Sequence, residues 1–358
     1  MANKKRQHFV SQFLLRNFSS ESNNKTIYLF NKNTGKSVRD APIRSQAQES
    51  YFYGIDPTFE DYLSLYEGKS SEVIKDIIAT GSLPDRTEKA NSFLLHFVMM
   101  YAFRTKSSVF NTEERINSSF KTIAKYDKEL SQIDFSTHRI KHPEPAAFNL
   151  AYNIDNWVIT GDLNLLLLQN QTASNFILSD NPFVQFNPIL LSNKDYPNNG
   201  GLLSKGLIIF FPLSPKFCLM YYDPLAYALQ NGDRDTLCLN VQEDVDNINL
   251  LQAIASDKIL YYGNLSENDY VLNLGLKSRH LKKDIYVNEE IPHPTKPNSF
   301  VLLSYYLEHT NNPNFSYFSL TEEAKNRIGH IGMNEFRNQE IVDWVQMDKT
   351  QLRNRYKS

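Results

Sequence analysis

The feature that most constrains this chain is a change in the spacing of its apolar residues part-way along. In the first part the long apolar stretches follow a helical period; later they shorten into runs such as "LNLLLL" (163–168) and "GLIIFF" (206–211), bounded by turn residues. A helix buries a stripe that recurs every three to four residues, whereas a buried strand needs only a short continuous apolar run. Helices mainly first and strands mainly second favour an α+β fold, with N-terminal helices packed on a mainly antiparallel sheet, over a doubly wound α/β sheet. Both apolar runs fall far short of the ~18–20 residues that a membrane helix needs, so no membrane partner is expected.

The elements follow from local signals. Phe9, Val10, Phe13 and Leu14 predict a short helix over 8–18, and "TIYLFNKNTGKSV" predicts a hairpin turning at Asn33, Thr34 and Gly35. Residues 58–80 have a helical period with Gly68 as its weak point, ended by Gly81 and Pro84. Asp85 is placed to cap a long helical region over 86–125, with a break expected within 107–112. After "HRIKHPEPAAFN" a helix resumes. "LNLLLLQNQTASNFILSDNPFVQF" reads as strand, short turn, strand, with a second hairpin around 212–215, a strand at "TLCLNV", a helix at "VQEDVDNINLLQAIAS" and a closing strand at "KILYYG". The composition then shifts, and "HPTKPNSF" reads as a connection. Residues 1–264 are therefore read as the α+β domain and residues 265–358 as an appended C-terminal α/β module.

Charge and cysteine usage exclude several classes. Thirty-eight basic against 40 acidic residues give a formal charge of −2, which argues against a dedicated polyanion binder and leaves room for a local basic patch. Cys218 and Cys238 form no CxxC, so neither a disulfide framework nor a zinc ribbon is supported. This usage fits a reducing compartment, and the basic start "MANKKRQHF" lacks an apolar h-region, so a cytoplasmic location is the expectation. The phosphate-cradling, nucleophile-elbow and zinc-protease motifs are absent.

A few polar residues stand out against this background. On a helix, His8, Gln12 and Arg16 at four-residue steps form one slanting stripe, rich in donors and suited to an anion, or else a solvated face near the start of the chain. In "FILSDNPFV", Ser179, Asp180 and Asn181 end an apolar strand and Pro182 fixes the exit. Asp180 could bind a metal such as Mg²⁺, act as a base or orient an arginine; the competing reading is a turn in which it bonds backbone. Arg104 follows "HFVMMYAF" and is either snorkelling or paired, with Glu49 or Asp180 as the carboxylate. Glu49, beside "SYFYG", is either an acid–base group in a partly dry setting or a surface glutamate beside an aromatic anchor. Asn249 sits on the helix before the closing strand.

Taken in order, "QHFVSQFLLRNFS", "IYLFNKNTGK", "AQESYFYG", the Arg104 helix, "FILSDNPFV", "FPLSPKFCLMY" and "VDNINLLQAIASDKILYYG" resemble the family known as domain of unknown function 4238, over about residues 5–263. Ser11 departs from the proline usual at that position. The family's name carries no activity, so the resemblance implies a fold, and it implies that His8, Gln12, Arg16, Glu49, Arg104, Asp180 and Asn249 belong to one pattern converging on a single cleft. From these residues the expected function is a hydrolase or nuclease acting on a phosphodiester or nucleotide, in microbial or phage defence or as a toxin. His8, Glu49 or Asp180 would be catalytic, while Gln12, Arg16, Arg104, Ser179 and Asn249 would bind substrate. The alternative is a non-catalytic sensor, with the cluster as an anion-binding or structural network and a protein partner held by the C-terminal module.

Overall fold

A computed structural model of the protein describes residues 5–19, 24–85, 89–193, 197–230, 234–281, 284–292, 299–308, 312–326 and 335–343. The class is α+β. The chain opens with a short strand, β1 (Arg6–His8), and a five-residue helix, α1 (Gln12–Arg16). The helix expected over 8–18 is therefore shorter, because His8 belongs to β1 and Ser11 keeps an extended backbone (φ −61°, ψ 139°) at the helix start. The expected first hairpin is present as β2 (Thr26–Asn31) and β3 (Lys36–Pro42), with Gly35 turning at φ 69°. β4 (Gln48–Ser50) then pairs antiparallel with β1.

Helix α2 (Thr58–Thr80) runs through Gly68 unbroken and stops at Gly81, whose φ of 67° provides the left-handed exit. The long helical region is two helices, α3 (Lys89–Arg104) and α4 (Lys106–Ile123). They break at Thr105, earlier than the expected 107–112. Thr105 is extended and its hydroxyl accepts the Ser108 N–H, so the residue acts as the N-cap of α4. The start expected at Arg86 lies outside the described residues. Every residue of α3 from 94 to 101 is buried, which makes it the central helix against which α2, α5 (Pro145–Asn153) and the main sheet pack.

The second part of the chain contributes β5 (Asn164–Asn170), β6 (Leu178–Ser179), β7 (Val184–Phe186), the short α6 (Pro188–Leu191), β8 (Ile208–Ser214) and β9 (Phe217–Tyr222). After them come β10 (Tyr227–Leu229), β11 (Thr236–Leu239), α7 (Gln242–Ala255) and β12 (Ile259–Tyr262). The main sheet has the order β11-β5-β9-β8-β7, antiparallel except where β11 runs parallel to β5. Pro212 sits in β8 beyond the reach of β7, where its missing N–H costs no ladder bond. A second sheet, β3-β2-β12-β6, joins the N-terminal hairpin to strands that form only in the second half of the chain's folded body, β6 and β12.

Beyond residue 265 the described chain meets this body at several points. Helix α8 (Asn268–Leu281) covers Phe30, Leu250 and Leu260 with Val271 and Leu274. A long hairpin, β13 (Asp284–Pro292) with β14 (Phe300–Glu308), lies along α4. β15 (Phe318–Leu320), which leads into α9 (Glu322–Lys325), pairs with β10, and Phe315 packs on Phe186 and Phe210. Arg337 is bidentate to Asp162 at 2.8 and 2.9 Å and also donates to the carbonyls of Ile159, Leu202 and Ser204. Among the described residues no helix is long and apolar enough to cross a membrane.

Candidate functional site

Four of the residues singled out from sequence surround one polar hollow of about 360 Å³: His8, Gln12, Arg16 and Arg104. Three routes bring them there. His8 ends β1, Gln12 and Arg16 lie one turn apart on α1, and Arg104 closes α3. The opposite wall is a face of α2 made of Glu60, Ser64, Glu67, Gly68 and Ser71, whose spacing of three to four residues keeps them on one side of that helix. Gly68 leaves open space there, since a Cβ at that position would meet nothing within 4 Å.

Arg104 is the anchor of this region and is only 1 % exposed. Its Nη2 donates to the His8 carbonyl at 2.8 Å and its Nε to the Tyr53 hydroxyl at 3.3 Å, while the guanidinium lies over the Tyr101 ring. Nη1 lies 2.8 Å from Glu67 Oε1, an ion pair without hydrogen-bond alignment. The partner carboxylate is thus Glu67 on α2, not Glu49 or Asp180. A buried guanidinium without such a partner would carry a large desolvation cost. Arg16, in contrast, is exposed and donates to Gln12 Oε1 at 2.9 Å. Two arginines face two glutamates, so the hollow is close to electrically balanced.

His8 is half-buried. Burial is the main cause holding its imidazole below the ordinary value of 6.5; a bond to the Arg44 backbone opposes that, and Arg104, Arg16 and Arg6 add to the lowering. The ring is therefore neutral near pH 7. Nε2 is shut off from bulk solvent and has no hydrogen-bond partner among the described residues. Ser11 holds the start of α1: its N–H donates to the Tyr101 hydroxyl at 3.0 Å, and its own hydroxyl lies 2.8 Å from the same oxygen.

The other nominated residues are elsewhere, which corrects the expectation of a single cleft. Glu49 is exposed on β4 and ion-paired with Lys106, so its setting is wet, not partly dry. Asp180 is buried and saturated: its carboxylate accepts the N–H groups of Asp257, Lys258 and Ile259 at 2.8–2.9 Å. Burial still pushes its carboxyl up to about 6, against the backbone donors and Lys32. Ser179 Oγ accepts from the Asn181 N–H and the Gln252 carboxamide. Asn249 accepts the Ile177 N–H and donates to the Asn175 carbonyl and the Tyr270 hydroxyl. These three residues clasp α7 and the turn into β12. Lys32 completes the clasp by donating to the carbonyls of Ala253 and Ser256 at the C-terminus of α7.

The α2 wall was missed from sequence. Its polar residues recur at helical spacing, but a solvated helix face has the same pattern, and nothing local marks this one as facing a hollow. Among the described residues no three His, Cys, Asp or Glu side chains come together to hold a metal ion.

A family model described as "Protein of unknown function (DUF4238)" matches residues 6–266, well over half of the chain. No curated protein and no solved structure matches it.

Proposed function

The chain belongs to the DUF4238 family, and on that footing we propose that its N-terminal hollow binds a small phosphate ester, a nucleotide or short phosphodiester, and hydrolyses it with His8 as the base. The observation that carries this reading is His8 itself: a neutral imidazole, held on one side by backbone and with an unpartnered Nε2, in the wall of a polar hollow. Such a nitrogen takes a proton from water as the water oxygen attacks phosphorus. The P–O bond to the leaving alcohol breaks, and that oxygen takes up the proton carried by the imidazolium. Arg16 is the exposed cation that meets the phosphate, with Gln12 beside it. Arg104 is a positioning residue, because its donors are committed to the His8 carbonyl, Tyr53 and Glu67. The balanced charge favours one small ligand over a nucleic acid duplex. Bulk solvent does not touch Nε2, so substrate binding must bring the reacting water to it.

The second reading is a sensor that binds the same anion without turning it over, favoured by how fully the Arg104 network is tied internally. Incubation of the full chain with pooled RNA, DNA and mononucleotides separates the two. Hydrolysis that falls about 100-fold or more in His8→Ala supports the enzyme. Saturable binding without turnover moves the site to the sensor, and equal turnover in parent and variant removes His8 from the chemistry.

A further inference from the structure

A second hollow, of about 370 Å³, lies on the other side of the α3–α4 break and shares no lining residue with the first. Its polar walls are mostly committed to internal bonds: Asn181 to Thr105 and the Ala255 carbonyl, Thr112 to Asn149, and Ser108 to Thr105. Three groups are not. The Ser107 hydroxyl and Gln185 Oε1 have no partner among the described residues and are not enclosed; the Gln185 carboxamide is aimed by its Nε2, which donates to the carbonyls of Asn199 and Gly200. Arg115, two turns along α4 from Ser107, is exposed and forms no ion pair among the described residues. Phe103 adds a half-buried ring in the same wall that stacks on no other described ring.

We infer that this hollow binds a nucleoside monophosphate. A ring that lines the wall, backed by the core and paired with no other described ring, stacks a base, a free carboxamide oxygen accepts from a base N–H, a hydroxyl reaches the ribose or base edge, and a free guanidinium takes one phosphate. The volume suits a ligand of that size. A polyphosphate would leave charge beyond the single arginine, and a sugar without a base would leave Phe103 unused. The inference stands independently of the reading of the first hollow. Because Arg104 borders that hollow while Phe103 and Ser107 border this one, both sites rest on the same break at Thr105.

The test is titration calorimetry of the full chain with AMP, GMP, CMP and UMP, with the matching nucleosides and with inorganic phosphate alone. Gly201 lies in the wall, and a Cβ there would meet nothing within 4 Å, so Gly201→Phe fills the hollow while the fold is retained, as a thermal melt will verify. Expected are saturable binding of at least one monophosphate, loss of that binding in Gly201→Phe, weakening of about tenfold in Phe103→Leu, and equal affinity for nucleoside and nucleotide in Arg115→Gln. Absence of saturable binding by any monophosphate overturns the inference. So does binding that survives Gly201→Phe, and if that binding is lost in Arg16→Gln it belongs to the first hollow.

Discussion

His8 and Asp180 were nominated for the same chemistry, yet their surroundings drive them apart. Each is desolvated, and desolvation disfavours the charged form, which lowers a histidine and raises an aspartate. For His8 the fold favours the neutral ring; its stabilising share is present above 6.5 and is lost as pH falls through the lowered folded value. If His8 is the base, the rate of the parent enzyme rises along an acid limb with its midpoint below 6.5 and levels off above it, and His8→Gln removes that limb. Asp180 runs the other way. Its carboxyl goes from 3.8 to about 6 on folding, so its share is present below 3.8 and is lost as pH rises through about 6. Asp180→Asn leaves one acceptor oxygen for three backbone donors and is expected to cost about 1–3 kcal/mol. Denaturant melts at about pH 4 and pH 7 check both points: the gap between parent and variant narrows at the higher pH. A variant as stable as the parent at both would remove Asp180 from the clasp.

At the scale of elements, two small residues decide the shape of the first hollow. Gly68 sits in the middle of α2, where glycine costs about 0.5–1 kcal/mol relative to alanine. Since nothing lies within 4 Å of its would-be Cβ, Gly68→Ala is expected to raise stability by about that amount. Gly68→Leu is expected to keep the fold and to abolish ligand binding at the hollow by filling it; unchanged binding would show that the ligand sits elsewhere. Thr105 is the second hinge of this geometry. Thr105→Ala loses the N-cap of α4 and the contact to Asn181, a loss of about 1–2 kcal/mol that a denaturant melt will read. What was legible in the sequence sorts by range. Hairpins at Gly35 and near Pro215 and the stop at Gly81 were legible because each is set by residues a few positions apart; β6, which leaves the run between β5 and β7 for the second sheet, was not, because its partner β12 lies some eighty residues on. The break at Thr105 was placed too late, because a capping threonine has no signature until its hydroxyl is seen to accept Ser108. Gln12 and Arg16 were found by helical spacing; His8 was picked on the same spacing but lies on β1 and reaches the hollow by a different route. Glu67 could not be, since its importance comes from Arg104, which meets it only when α2 and α3 pack. The Ser179, Asp180 and Asn249 pattern was legible as a pattern but not in its purpose: a polar clasp and a polar cleft use the same residue types.

On the scale of the molecule, the question is whether the chain after residue 264 stands by itself. The composition shift there suggested an appended module, and three contacts now define what that segment does for the rest. Val271 and Leu274 of α8 cover Phe30 and Leu260, Phe315 and Tyr317 join the main core, and Arg337 holds Asp162. Asp244, at the start of α7, receives both the N–H and the hydroxyl of Ser316, so the clasped helix is tied to the distal segment as well. Each large apolar side chain buried in this way contributes about 1.5–3 kcal/mol. A few of them match the ~5–15 kcal/mol that separates a folded domain from its unfolded chain. A chain cut to residues 1–264 is therefore expected to lose its cooperative melt, or to melt far below the full chain, and to bind a hydrophobic dye that the full chain excludes. The hollow at His8 would be lost with it, although none of its lining residues lies beyond position 104. That result would place the C-terminal segment in the folding unit that holds the site. A fragment of residues 1–264 that melts as sharply as the full chain and at the same temperature would instead make the segment a separate module.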